Sequence, residues 1–298
     1  MSYHKFLNEY VFDGQFILQC DKGTIINKYV ESVERRERNP VILQHNTSEI
    51  YFSWVDQPWD SEKLGINVKR IDFISYICDS AEKISEIISY LSGTDLIYLR
   101  LSINHQLVNM LKHFDEGLVE YGEKIMFGLT FKDEYEEEPP VGINNFSELR
   151  IADKFDQMIL ISEQAFKQNR FYRDPRFPER FFSLVYRSWL EKFISGSGSI
   201  LCFVEGDRIR GFLAYSRNIE NHNCLRYGFI DLIAVDRDCQ HKSIATKLIS
   251  AIRNELINDG IGFLYANTDS MNQGAINLFH RTGFRQFNVL KEYHYWKN

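Results

Sequence analysis

The chain has 298 residues, enough for two ordinary domains that each bury a hydrophobic core. Its 44% hydrophobic and 26% charged residues give the composition of a folded globular protein, which excludes a disordered or fibrous one. A net charge of −6 speaks against nucleic acid as a partner, because phosphate backbones are held by clustered Lys and Arg.

The start, MSYHKFLNEYVFDG, lacks the basic opening and apolar block of a secretory signal. No apolar run approaches the roughly 20 residues of a membrane span. The five cysteines are scattered and form no Cys-x-x-Cys pair, which fits free thiols. A soluble protein of the reducing cytoplasm is expected, with no membrane partner.

In chain order, DLIYLRLS reads as a strand, HQLVNMLKHF as a helix, Gly117 as a break and LVEYGEKIMFGL as a strand. The clearest break in composition is the acidic stretch 132–142, KDEYEEEPPVG, which repels itself and ends in two prolines. It is expected to link a domain of residues 1–131 to one of residues 143–298. After it, Ala152 to Gln168 has helical spacing through Phe155, Ile159 and Phe166. A second helix opens near Pro178 and buries Phe181, Val185 and Trp189.

GSGS stops that helix, and SILCFVE and RIRGFLAYSR, joined at Gly206-Asp207, read as a hairpin. GFIDLIAV is almost wholly apolar, as a strand covered on both faces would be. A helix beginning near Ser243 places Ile244, Leu248, Ile252 and Leu256 about one turn apart and ends at Asp259-Gly260. IGFLYAN is a strand, Gln273 to Arg281 a short helix capped by Gly283, and a last strand runs to about Trp296. This ending repeats the order of the DLIYLRLS to LVEYGEKIMFGL segment, so a repeated supersecondary unit is expected.

The junction VDRDCQHKSIATKL carries the chemistry. The first turn of a helix has amides without intrahelical partners and a partial positive charge, which together suit an anion. With short side chains at Ser243 and Ala245, the backbone around His241, Lys242, Ile244 and Thr246 can approach a pyrophosphate, and Lys242 adds charge. The plainer reading, Ser as an N-cap with no ligand, stays open on these residues alone.

Gln240-x-x-Ser243-x-Ala245 after an apolar strand, followed by Asn272, Ala275, Phe279, Gly283 and Phe284 in an Asn-x-x-Ala-x-x-x-Phe-x-x-x-Gly-Phe pattern, resembles the GCN5-related N-acetyltransferase (GNAT) family over about the last 150 residues. The resemblance implies an α/β (α+β) fold: a mixed, mostly antiparallel central sheet flanked by helices, here preceded by a smaller GNAT-like domain. It implies acyl-CoA as co-substrate, with residues 240 to 246 on the pyrophosphate. It also implies the strand end Ile233, Ala234 and Val235 along pantetheine, and Asn272 and Phe279 as further coenzyme contacts.

The sequence departs from the pattern twice. Ser243 stands at the usual glycine, tolerable if this residue is already helical. Phe279 stands where many members carry a tyrosine that protonates the departing sulfur. A thiol of pKa about 8.5 leaves as thiolate near neutral pH, and Tyr293, Tyr295 or water remain as substitutes.

WDSEKLG (Trp59 to Gly65) and AFKQNRFYRDPRF (Ala165 to Phe177) resemble more narrowly the bacterial TDP-fucosamine acetyltransferase group, which acylates nucleotide-linked amino sugars for surface polysaccharide. Within the second segment Arg170, Arg173 and Arg176 offer cations to a diphosphate, and Phe171 and Tyr172 offer flat surfaces to a base or sugar. The alternative is a surface loop whose arginines pair with Asp174 or Glu179.

For the amine proton, Asp231 is the lone charge in its apolar strand, and burial would raise its pKa toward that of a working base. His294 is the second candidate. The eight histidines show no metal-ligand spacing, and no dinucleotide or ATP loop is present, so neither metal nor those cofactors are expected.

The expected activity is acyl transfer from acetyl-CoA or 3-hydroxybutyryl-CoA to a TDP-linked 3-amino- or 4-amino-dideoxy sugar. A protein, amino-acid or polyamine acceptor, or a non-catalytic acyl-CoA-binding module, are the alternatives. The oligomeric state, a homodimer included, is left open.

Overall fold

The computed structural model describes residues 39–45, 48–76, 82–102, 108, 111, 117–130, 140–151, 153–167, 169–219 and 226–297. Contacts divide the chain into two compact units, residues 1–124 with 288–298, and residues 125–287.

The first unit holds β1 (Asn39–His45), β2 (Ser48–Asp56), α1 (Pro58–Leu64), β3 (Val68–Tyr76), α2 (Glu82–Tyr90) and β4 (Leu96–Ser102). β5 (Leu118–Thr130) begins in this unit, and the last strand, β11 (Arg285–Trp296), ends in it. Its sheet runs β1-β2-β3-β4-β11. β11 lies antiparallel to β4, from Leu290 opposite Ser102 to Trp296 opposite Leu96. Phe52, Ile71, Ile87, Leu99 and Tyr293 share its core.

The division therefore falls inside β5 rather than in the acidic stretch 132–142, of which residues 132–139 lie outside the described residues. Residues 288–298, expected in the second domain, belong to the first because their ladder partner is β4. Such an exchange leaves no trace in composition.

WDSEKLG forms α1 and its exit. Gly65 closes the helix at φ 71, the left-handed region that favours glycine. The Ser61 hydroxyl accepts the Val68 amide at 3.0 Å, and Asp60 accepts from the Tyr98 hydroxyl at 3.2 Å. This motif is thus built into local structure.

The second unit holds the end of β5, β6 (Ile143–Asn145), α3 (Lys154–Ala165), α4 (Arg170–Arg173), α5 (Glu179–Lys192), β7 (Ser199–Glu205) and β8 (Arg208–Ile219). It continues through β9 (Arg226–Val235), α6 (Ile244–Asn258), β10 (Phe263–Asp269) and α7 (Gln273–Arg281). Its strand order is β5-β10-β9-β8-β7-β6. β9 and β10 pair parallel, and β6 to β9 pair antiparallel.

Two cores sandwich this sheet. Leu213, Tyr215, Ile230, Leu264 and Ala266 meet Leu248, Ile252 and Leu256 of α6 on one face. Phe212, Ala214, Leu232 and Ala234 meet Met158, Ile159 and Ile161 of α3 and Leu190 of α5 on the other. The hairpin at Gly206-Asp207 and the ends of α6 and β11 fall where the pattern put them. The short α4 and β6 lie outside what periodicity announced.

The helix of the expected repeat, HQLVNMLKHF, lies largely outside the described residues, and a different likeness between the units is visible in backbone register. In β3, Ile71 pairs with Trp54 and Phe73 with Ser53, so Asp72 is an extra residue, and the parallel ladder to β4 stops at Ile71 opposite Leu99. In β9, Ile230 pairs with Tyr215 and Leu232 with Ala214, so Asp231 is the extra residue, and the ladder to β10 stops at Ile230 opposite Ala266. Each unit thus carries a bulge at an Ile-Asp step where a parallel ladder ends.

Gly211 in β8 seats the start of α6. A Cβ there would lie 2.9 Å from Ile244 Cγ2 and 3.1 Å from the Ala234 carbonyl. Gly211→Ala should therefore overpack the site, cost about 1–3 kcal/mol and lower the Tm by several degrees. An unchanged Tm would show that the helix start gives way freely.

Candidate active site

The bulge at Asp231 changes which side chains face which way. Before it, Ile230 packs on the α6 side; after it, Leu232 and Ala234 pack on the α3 and α5 side while Ile233 and Val235 turn to α6. A strand without a bulge would keep residues 230, 232 and 234 on one face. β9 continues to Val235 and β10 to Asp269, yet their ladder covers only Leu264/Gly228, Tyr265/Phe229 and Ala266/Ile230. From 231 to 235 the β10-side edge of β9 lies past that ladder, while β8 stays paired as far as Val235. Such an edge can hydrogen-bond an extended polar arm as an added strand would.

Beyond β9 the chain turns through Gln240 to Ser243, all exposed, into α6. Ser243 is the N-cap residue at φ 59, and its side chain makes no capping bond. His241 is also left-handed, at φ 63. The first turn closes with the Lys247 amide donating to the Ser243 carbonyl at 3.0 Å, so the amides of Ile244, Ala245 and Thr246 precede the first intrahelical bond without a side-chain cap. The plain N-cap reading of Ser243 therefore fails.

The expectation that Ser243 is already helical fails as well. The residue sits in the left-handed region, which costs a side chain about 1 kcal/mol and explains why glycine suits the position. Lys242 places its ammonium 4.0 Å from the sulfur of Cys239, which is buried just before the turn.

Asn272 and Phe279 do structural work. Asn272 is the N-cap of α7, its side-chain oxygen accepting the Ala275 amide at 3.1 Å. Phe279 is buried, with ring centroids 5.2 Å from Phe127 and 5.1 Å from Phe284. Replacing a tyrosine by phenylalanine there removes a hydroxyl and keeps a core ring.

Asp231 is partly buried at the bulge and accepts from the Ser216 hydroxyl at 2.9 Å. Burial pushes its carboxyl up to about 6, against the opposing pull of the Ser216 hydroxyl and amide. His294 lies instead in the first unit, fully buried, with its ring 5.2 Å from Tyr98 and 5.0 Å from Tyr121. Tyr293 is in that unit's core, its hydroxyl held protonated by burial.

On the side of Asp231 that carries α3 and α5, strand alternation places Tyr227 and Phe229 of β9 and Tyr265 of β10, opposite Gly228, Ile230, Leu264 and Ala266. The Tyr265 ring lies 5.2 Å from Phe229 and 6.4 Å from Tyr227. Sequence reading missed this aromatic surface, because a period-2 pattern cannot locate the bulge that sets Asp231 beside it.

The segment NRFYRDPR is mostly committed internally. Arg173 grips Asp269 with both terminal nitrogens, one of them at 3.0 Å from Oδ1. Arg176 bonds Asp174 at 3.0 Å, and Arg170 is buried with its guanidinium 4.5 Å from the Phe171 ring. Phe171 packs on Phe177 and Phe181. Tyr172 alone of the four expected acceptor contacts is exposed. Of the pairings that the surface-loop reading expected, Arg176 makes the one with Asp174, while Arg173 reaches Asp269 and Arg170 is buried against a ring.

Among the described residues no group of His, Cys, Asp and Glu is arranged to hold a metal ion, and no helix is long and apolar enough to cross a membrane. Cys202 and Cys239 are free thiols.

Residues 164–284 match the acetyltransferase (GNAT) family. A GCN5-related N-acetyltransferase from Sphaerobacter thermophilus superposes with a TM-score of 0.54 at 10% identity, covering 93% of this chain and 86% of that one. The fold is that of the GNAT acetyltransferases. A tandem GNAT protein from the clavulanic acid biosynthesis pathway matches with a TM-score of 0.54 at 8% identity, over 98% of this chain and 92% of that one. Across 116 residues the sequence is 26% identical to N-alpha-acetyltransferase 30 of Schizosaccharomyces pombe, covering 39% of this chain and 75% of that one. The GNAT match supports N-acetyltransferase chemistry with acyl-CoA as donor.

The strain at Ser243 is testable by itself. Ser243→Gly should stabilise the protein by about 1 kcal/mol in denaturant unfolding without weakening its affinity for CoA. A loss of stability would mean that the serine side chain contributes more than its backbone strain costs.

Proposed function

We propose that the protein is an acyl-CoA-dependent N-acyltransferase of the cytoplasm that acylates the amino group of a TDP-linked amino-dideoxy sugar for surface polysaccharide. The carrying observation is the alignment of three features on one strand: Asp231 at the bulge, the β9 edge past the β10 ladder, and the uncapped tip of α6 just beyond. The tip suits a pyrophosphate, the edge a pantetheine arm, and the bulge the reacting thioester.

In this reading the neutral amine attacks the thioester carbonyl from the face that carries Asp231. The C–N bond forms, the C–S bond breaks, and the amine proton passes to Asp231. The thiolate leaves without a tyrosine acid, which its pKa of about 8.5 permits. Acetyl-CoA and 3-hydroxybutyryl-CoA both satisfy this chemistry.

The nucleotide-sugar acceptor is supported by the resemblance carried by the WDSEKLG and NRFYRDPRF segments and by the partly exposed rings of Tyr227 and Phe229, which suit the flat face of a sugar or base. Arg170 and Arg173 are not assigned to its diphosphate, since both are engaged within the protein. Likeness to N-alpha-acetyltransferase 30 favours a second reading, in which the acceptor is the α-amine of a peptide.

Thiol release from acetyl-CoA separates the two. TDP-3-amino- and TDP-4-amino-dideoxy sugars should turn over faster than any peptide, amino acid or polyamine; preference for a peptide amine selects the second reading. Binding of CoA with no turnover of any amine would make the protein a binding module instead.

Asp231→Asn should lower kcat at least ~100-fold and remove the ascending limb of the kcat–pH profile near pH 6. The stability effect has the opposite sign. A carboxyl whose pKa is raised on folding contributes stability at low pH that is lost as pH rises through about 6, so its ionised form is a burden at pH 7.5. The variant should then be more stable than the parent by on the order of 2 kcal/mol at pH 7.5, and not at pH 4. Unchanged kcat and unchanged stability together would remove Asp231 from the mechanism.

A further inference from the structure

Because β9 bulges at Asp231, no β8 residue stands opposite it, and its side chain comes from a point outside the ladder. A residue inside the ladder meets it. Ser216 of β8 pairs in register with Phe229 and donates its hydroxyl to Asp231 Oδ2 at 2.9 Å. The extra residue of the bulge is thus tied by a side-chain bond to the regular strand beside it.

We propose that Ser216 is the positioning residue of the proton acceptor: it clamps one end of the Asp231 carboxylate and leaves the other oxygen to face the acceptor amine. This rests on the acyltransferase reading with Asp231 as base. A carboxylate held by a fixed hydroxyl loses the rotation that would take its free oxygen away from the substrate.

Several charged groups on the surrounding elements have partners of their own. On α3, Lys154 donates to the Phe146 and Leu149 carbonyls, Asp156 pairs with Arg187 of α5, and Glu163 accepts from Ser183. On β10, Tyr265 stays protonated through burial, and Asp269 is gripped by Arg173 of α4. On β8, Arg217 points to the other face, to Glu255 of α6 and to Asp259. Beyond the strand, Asp236 pairs with Arg210. The hydroxyl and amide of Ser216 are the polar partners that oppose the effect of burial on Asp231.

The test compares Ser216→Ala and Ser216→Thr with the parent and with Asp231→Asn in kcat–pH profiles on one amine acceptor. Removing the hydroxyl takes away a bond to the ionised carboxylate, so in Ser216→Ala the ascending limb should move up by about one pH unit. Its kcat at pH 7 should fall several-fold, with the KM for acetyl-CoA unchanged. Ser216→Thr, which keeps the hydroxyl, should return the limb to within a few tenths of its parental position.

A Ser216→Ala profile that overlays the parent overturns the proposal, as does a loss of turnover that Ser216→Thr fails to restore. If Asp231→Asn itself keeps the parental limb, the assignment of the base is wrong, and the fault lies with the acyltransferase reading rather than with Ser216.

Discussion

Much of the second unit follows from one interruption in its sheet: the parallel ladder between β9 and β10 ends after three residue pairs. A fully zipped pair of buried strands would satisfy its own backbone groups and offer a ligand nothing. Here β9 inserts one extra residue at Asp231 and continues for four more beside β8. The bulge reverses the facing of the strand, so Ile233 and Val235 support the seat of α6 while Leu232 and Ala234 close the core under α3 and α5. The place where hydrogen bonding lapses is also the place where an acid is inserted.

The start of α6 carries a matching cost. Ser243 and His241 adopt left-handed backbone that glycine would take without strain, and no side chain caps the helix. Strained, uncapped backbone is retained where the surrounding structure holds it in place. Gly211 does part of that holding, since its missing Cβ lets Ile244 sit against β8. An anion at the tip would supply the partners that the chain does not.

The strands and helices around the site were legible because their apolar spacing is strong: α6 through Ile244, Leu248, Ile252 and Leu256, β9 through its apolar run. The turn into α6 was legible through short residues at fixed offsets. What escaped depends on pairing rather than pattern. The Asp231 bulge needs the register against β8, and the assignment of β11 to the first unit needs its ladder with β4. The pairing of Arg176 with nearby Asp174 was among the readings that the sequence left open, but Asp269, the partner of Arg173, is 96 residues away and leaves no local sign. His294 looked reactive in a list of residues, yet it is enclosed by Tyr98 and Tyr121.

The repeat in β3 and β4 sharpens the question of which interruption serves a ligand, because Ile71-Asp72 and Ile230-Asp231 share the same backbone irregularity. Amide hydrogen exchange with and without acetyl-CoA answers it most directly. Acetyl-CoA should slow exchange at residues 231–235 and 244–246, and not at residues 68–76. Protection confined to residues 68–76, or unchanged exchange at 244–246 under saturating acetyl-CoA, would contradict it.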